Sequence, residues 1–260
     1  MIHPVKAKKH LGQHFLNDDG IARQIAESLT QHKGYTRLLE IGPGTGVLTK
    51  HLIEDKRFDL YLSEIDTESV AYLKTTYPQL TPHLIEGDFL HMEMGEFSGG
   101  EKMGIIGDFP YNISSQILFK VYENKDTVME CAGMFQKEVA KRIASPPGGK
   151  EYGILSVLLQ AFYTIEYLFT VPPEVFTPPP KVDSGVIRLV RNDVTDLGCN
   201  EAIFKTVIKL AFNQRRKMIR NGVSSLLKNS DHPLMTQRPE QLSVAQFVEL
   251  TKLIEDAQAK

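Results

Sequence analysis

Four short apolar runs constrain this chain most, because each one ends at a group suited to holding a ligand. Residues 37–41 run into Gly42-Pro43-Gly44-Thr45-Gly46, and residues 59–63 end at Glu64. Residues 83–85 lead to Gly87-Asp88-Phe89, and residues 103–106 lead to Gly107-Asp108-Phe109-Pro110-Tyr111-Asn112. Apolar runs of this length read as buried strands, and the helical pattern of Ile117, Leu118, Val121 and Tyr122 follows the last of them. An open α/β sheet is expected, and such sheets gather their chemistry outside the carboxyl ends of the strands.

The strand ends differ in what they offer. The glycine turn lets backbone approach a ligand closely and leads into an expected helix at 47–53. Its G-x-G-x-G spacing is not the dinucleotide fingerprint, and it carries no phosphate-binding lysine. Glu64, about 20 residues beyond the turn, is placed to take both hydroxyls of a ribose. Asp88 can accept from an adenine amine while Phe89 packs near the ring, although either acid could equally be a strand-end cap. The Asp108-Phe109-Pro110-Tyr111 tetrad suits an exocyclic amine on a flat ring. Asp108 and a backbone carbonyl would accept from its two N–H groups, Pro110 would fix the turn, and Tyr111 would offer a face for stacking. Ser114 or Ser115 is a plausible N-cap for the next helix.

Further strands are expected at 128–135 and 185–190, and a largely apolar helix at 152–162, packed on the sheet. Between them, residues 171–184 hold five prolines, a stiff connector that carries Phe176. Phe176 would be either the second half of an aromatic clamp opposite Tyr111 or a plug in the core beneath the loop. Beyond residue 191 the pattern turns helical, at 201–212, 222–227 and 244–254, and Ser243 with Gln246 forms a capping box. The division is therefore a basic arm over 1–17, a ligand-binding domain over 18–191 and a helical domain over 192–260.

The chain has a net charge of −2, yet its basic residues are gathered. Residues 202–228 hold seven Lys or Arg and no acid, and residues 1–17 hold three Lys and three His, again with no acid. Two basic segments on a mildly acidic protein suggest a local footprint for a polyanion. The candidate contacts are Lys137 and Arg142 on an amphipathic helix, Lys181 in the proline-rich connector, and Arg215, Arg216, Lys217 and Arg220. The two cysteines are far apart and show no metal spacing, which suits a reducing cytoplasm. No metal is expected, because the His10/His14 pair lacks the glutamate of a zinc helix. No apolar run reaches membrane-spanning length.

Several segments together resemble the KsgA-type ribosomal RNA adenine dimethyltransferases. They are residues 9–16 (KHLGQHFL), 39–46 (LEIGPGTG), 109–114 (FPYNIS), 136–140 (QKEVA) and 176–184 (FTPPPKVDS). The resemblance implies a Rossmann-like methyltransferase sheet with a small C-terminal all-helical domain, and S-adenosylmethionine as cofactor. It implies that His14 and Leu16 close over the cofactor and that Gly42, with Gly44 in the same turn, lies against its methionine part. Glu64 would take the ribose and Asp88 the adenine amine, with Ile65, Phe89 and Asp108 also at the cofactor. The tetrad would hold the target N6 between Tyr111 and Phe176. The substrate implied is a pair of adjacent adenines near the 3′ end of small-subunit rRNA, in an assembling 30S subunit met by a monomeric protein. Asp108 departs from the family tetrad, which usually begins with Asn, although related amine methyltransferases use either residue; Asp accepts but cannot donate unless protonated. The alternatives are a large-subunit rRNA dimethyltransferase of the macrolide-resistance type, a non-catalytic RNA-binding assembly factor, and a small-molecule methyltransferase.

Overall fold

The computed structural model describes residues 4–259; residues 1–3 of the expected basic arm lie outside them. Nine strands occur: β1 (Phe15–Leu16), β2 (Arg37–Ile41), β3 (Asp59–Glu64), β4 (Leu84–Glu86), β5 (Met103–Asp108), β6 (Val128–Gln136), β7 (Tyr163–Val171), β8 (Phe176–Thr177) and β9 (Ser184–Arg191). Seven form one sheet in the order β4-β3-β2-β5-β6-β9-β7, while β1 and β8 pair separately. From β4 to β6 the neighbours are parallel, and β9 lies antiparallel to β6. The order turns back between β2 and β5, so the ends of β2, β3 and β5 open into one crevice.

The central strands are apolar because both of their faces are covered. β5 is buried over Met103–Gly107 and β6 over Val128–Phe135. β6 nevertheless carries Glu130, fully buried. Its carboxylate accepts from the Thr30 N–H (2.9 Å), the Thr30 hydroxyl (2.8 Å) and the Tyr35 hydroxyl (2.7 Å). Three donors offset the desolvation of a buried carboxylate.

The helices of this part are α1 (Asp19–Glu27), α2 (Thr49–Leu52), α3 (Thr67–Thr76), α4 (Met94–Ser98) and α5 (Ser114–Glu123). Asp18 caps α1 by accepting from Ile21 N–H at 2.9 Å. α2 is shorter than the expected 47–53, and turns rather than a helix N-terminus follow the glycines. Ser114 is the first residue of α5 and not its cap. Its hydroxyl donates back to the carbonyls of Pro110 and Tyr111, each at 3.2 Å.

The chain forms two compact units. One runs through Ala140 and resumes over Thr164–Arg191; the other takes Lys141–Tyr163 and everything from Asn192 on. The second unit is helical, with α7 (Ile154–Gln160), α8 (Glu201–Asn213), α9 (Ile219–Gly222) and α10 (Val244–Gln258); α6 (Lys137–Ala144) carries the join. α8 contacts α7, α9 and α10, burying Phe204, Val207, Ile208, Phe247 and Leu250. The apolar helix expected against the sheet is α7, and it packs on α8 and α10 instead. It buries five consecutive residues, Leu155–Leu159, and a helix apolar all round is covered as well by helices as by a sheet. The helix expected at 222–227 lies earlier, at α9, and Ser243 and Gln246 form the expected box on α10.

Candidate active site

The ends of β2, β3 and β5, the turn after β4 and the segment Leu11–Leu16 line a cavity that is partly open to solvent. Every residue expected at the cofactor lines it: His14, Leu16, Gly42, Gly44, Glu64, Ile65, Asp88, Phe89 and Asp108. Phe109, Pro110 and Tyr111 line it too, and Phe176 does not.

Glu64 is buried at the end of β3. One carboxylate oxygen accepts from Gly44 N–H and the other from Asp66 N–H, both at 2.9 Å. Burial raises its pKa, and those two backbone donors oppose the shift. Ile65 N–H is a third backbone donor beside the carboxylate, whose four acceptor positions still leave capacity for a ribose hydroxyl. Gly42 has φ +62°, and its missing Cβ leaves room on the side of Pro110. At Gly44 and Gly46 the room is filled by the protein itself: a Cβ would meet the ring of Phe15 at 3.0 Å and that of Tyr77 at 2.6 Å. Asp88 accepts from Leu90 N–H at 2.9 Å, capping a 3₁₀ turn at Phe89–His91, and its side chain stays partly open to the cavity.

The cavity also holds a polar atom that sequence alone did not flag. The Ser63 hydroxyl is buried in its wall and has no hydrogen-bond partner among the described residues. A buried group of this kind is costly unless a ligand or water serves it. Together with the spare acceptors of Glu64, it makes the wall fit an adenosyl cofactor rich in hydroxyl and amine groups. Glu40, in the same wall, accepts from the Thr49 hydroxyl at 2.7 Å; burial above all, with Glu64 and Asp108 nearby, pushes its carboxyl up to about 8. Asp108 ends β5 half-buried, facing the cavity, and its loss of solvent pushes it up to about 8 as well.

The tetrad is anchored from both sides. Phe109 is 1% exposed and stacks on Phe135 (centroids 4.6 Å apart), so its ring is a core plug and only its backbone faces the site. The Pro110 carbonyl accepts from Ile113 N–H and the Ser114 hydroxyl, each at 3.2 Å. The Tyr111 hydroxyl is hydrogen-bonded to Ser184 at the start of β9, and one ring face stacks on His14 (5.6 Å, 27°). The His14 ring is held in turn by its Nδ1, which donates to the Pro178 carbonyl at 2.7 Å.

Phe176 corrects the aromatic-clamp expectation. It is 2% exposed and belongs to the core cluster with Leu16, Ile25 and Val171. β8 alternates its side chains, and the β1 pairing turns Phe176 inward while Thr177 faces out. The open alternative, a core plug, is the one observed.

The segment over the cavity is strapped down at several points. The Lys8 ammonium pairs with Asp66 and with Glu68 (3.2 Å), and the Asn112 side chain donates to the His10 carbonyl at 3.3 Å. Asn17 N–H donates to the Val175 carbonyl at 2.7 Å. Gly12 makes the close approach to Asn112 possible, since a Cβ there would sit 2.6 Å from the Asn112 amide oxygen.

The basic candidates fall in both units. In the first, Lys181 is exposed, while Lys137 is ion-paired with Asp183 at 2.8 Å. In the second, Arg142, Arg216, Lys217 and Arg220 are exposed. Arg215 lies against the Phe212 ring and donates to the Gly149 carbonyl at 3.2 Å.

Comparison with known proteins adds independent findings. The solved structure of a dimethyladenosine transferase from Plasmodium falciparum superposes with a TM-score of 0.77, covering 94% of this chain and 98% of the other at 22% identity. The 23S rRNA methyltransferase ErmE gives 0.66, covering 92% and 99% at 24% identity. At such identities these matches establish the fold, a methyltransferase α/β sheet. The ribosomal RNA small subunit methyltransferase A of Porphyromonas gingivalis is 54% identical over 256 residues, 96% of this chain and 98% of its own. The protein of the same name from Cytophaga hutchinsonii is 54% identical over 253 residues, with the same coverage. The family model for ribosomal RNA adenine dimethylase matches residues 5–256, and the chain belongs to that family.

Proposed function

We propose that this protein is an enzyme that uses S-adenosylmethionine to dimethylate N6 of two adjacent adenines near the 3′ end of 16S rRNA. The observation that carries it is the opening of the Asp108–Tyr111 tetrad into the same cavity as Glu64 and Asp88, so that an amine acceptor and an adenosyl subsite share one space. Full-length relatives named for the small subunit, at 54% identity, favour this over the large-subunit alternative, whose representative shares only the fold. The finer reading is a monomer that meets an assembling 30S subunit in the cytoplasm. In support, no helix is long and apolar enough to cross a membrane among the described residues, and Cys131 and Cys199 are both free thiols.

Bound in the cavity, the cofactor supplies an electrophilic methyl group. Glu64 would hold its ribose, Asp88 its adenine amine, and Gly42 its amino-acid end, while His14 and Leu16 cover it. Asp108 accepts one N–H of the target amine. The Phe109 carbonyl is the natural second acceptor, because that of Pro110 is already engaged by Ile113 and Ser114. Two such bonds orient the nitrogen lone pair and weaken its conjugation with the ring. An ionised Asp108 also stabilises positive charge developing on N6 and can hold the proton shed after each transfer. Tyr111 supplies the stacking face for an adenine drawn out of its helix or loop. Lys181 and the Arg215–Arg220 segment, on their separate units, provide positive charge for the rRNA backbone.

The test is label transfer from radioactive S-adenosylmethionine to small subunits lacking the modification, comparing the protein with its Asp108→Asn variant. Label in the two adjacent adenines from both is the expected outcome, with the variant within about tenfold of the native rate. No label from either protein, despite tight subunit binding, would leave a non-catalytic assembly factor.

A further inference from the structure

The wall of the cofactor cavity is unbalanced in charge. Four carboxyl groups line it, Glu40 from β2, Glu64 from β3, Asp88 after β4 and Asp108 from β5, and no Lys or Arg is among its described lining residues. Two lysines close to these acids are occupied elsewhere. Lys8 pairs with Asp66 and Glu68, and Lys120 donates to the Leu90 and Met92 carbonyls behind the Phe89 ring. The other titratable groups facing these acids include Tyr111 beside Asp108, with His14 stacked on Tyr111, Asp66 beside Glu64, His91 at 3.4 Å from Asp88, and Tyr77 beyond Glu40.

Resting on the cofactor assignment above, we infer that this carboxyl cluster makes the cavity select the sulfonium form of the cofactor over its spent, neutral-sulfur product, with Asp108 as the specificity-determining residue. S-adenosylmethionine carries one more positive charge than S-adenosylhomocysteine and is otherwise nearly the same shape. Wall charges that are buried, as at Glu40 and Glu64, or half-buried, as at Asp88 and Asp108, act on that difference through a lower dielectric than bulk water and are screened less by salt than surface charges. Asparagine at position 108 would leave the sulfonium one fewer potential anion. Because Glu40 and Asp108 both titrate at about 8, a cationic ligand draws protons off them. Its affinity therefore rises with pH until they are ionised, while that of the neutral-sulfur product follows the wall much less.

Isothermal calorimetry on the full-length protein, with S-adenosylmethionine and S-adenosylhomocysteine at pH 6.5 and 9.0, tests this. In the native protein the ratio of the two dissociation constants should move about tenfold toward S-adenosylmethionine between the two pH values. Near neutral pH, more protons should be released on binding S-adenosylmethionine than on binding the product, measured in buffers of different ionisation enthalpy. Asp108→Asn should remove most of the pH-dependent change. The ligands' own titration is common to both proteins and cancels in that comparison. Glu40→Gln, which keeps the acceptor for Thr49, should reduce it in part. A ratio that does not change with pH, or that changes equally in native protein and Asp108→Asn, overturns the inference and leaves the cofactor assignment standing. Failure of both ligands to bind overturns the assignment and the inference together.

Discussion

Tyr111 is the residue whose setting explains most. Its ring is fixed at the hydroxyl by Ser184 and on one face by His14, which Pro178 holds in turn. A base-stacking platform fixed in this way loses little entropy when a base arrives. Ser184→Ala removes only the hydroxyl anchor. The expected result is a turnover lower by about fivefold, the worth of one hydrogen bond, with calorimetric affinity for S-adenosylhomocysteine unchanged. Phe176 makes the opposite case. As a core residue its replacement by Ala should cost about 3–5 kcal/mol of stability in urea denaturation. A loss of turnover with stability intact would return it to the base-binding slot. The tetrad's chemistry was legible in four residues, whereas its anchors were not. Ser184 and His14 lie 73 and 97 positions from Tyr111 in the chain, and only folding brings them together.

At the scale of elements, the parallel core was the most readable part. β2, β3, β5 and β6 are mostly apolar and buried, and the first three end at glycine or acid, so their pattern and boundaries were explicit. β7 escaped because, as an edge strand with only its two ends buried, it has a mixed pattern, Tyr163-Thr-Ile-Glu-Tyr-Leu-Phe-Thr-Val171. β1 and β8 escaped because two-residue strands have no period to read. The tetrad's position depends on a pinch between β5 and β6, where Gly107 pairs with Gly133 beside the Phe109 ring. Gly133 has φ +151°, and a Cβ there would overlap the Gly107 carbonyl oxygen. Gly133→Ala is expected to destabilise by about 2–4 kcal/mol, seen as a lower urea midpoint at unchanged slope. Because Phe109 shares the pinch, the variant should also lose tetrad geometry before it loses cofactor binding.

For the molecule as a whole, the buried acids set a pH dependence opposite to that of ordinary ion pairs. In an unfolded chain Asp and Glu titrate near about 4, while Glu40 and Asp108 titrate at about 8 in the fold. Between those values the folded protein holds protons that the unfolded chain releases. The stability they contribute is complete below the unfolded value and is lost as pH rises through about 8. The thermal midpoint of the ligand-free protein should therefore fall between pH 6.5 and 9, and Glu40→Gln should flatten that fall. A midpoint constant over this range in the native protein would show that neither group is protonated in the fold. The unit assignment of α7 is a whole-molecule property too, since nothing within Leu155–Leu159 says which neighbours will cover it.

The pairing of β1 with β8 also fixes when the site comes into being. Residues 15 and 16 leave the ribosome early, but their partners Phe176 and Thr177, and the Pro178 carbonyl that orients His14, are made about 160 residues later. Once the tetrad has been made, the glycine turn, Glu64, Asp88 and the tetrad are all present on a nascent chain whose cavity lacks an anchored cover until those partners follow. Vectorial synthesis thus separates assembly of the cavity floor from its closure, which waits for β8 and for the Ser184 anchor that begins β9.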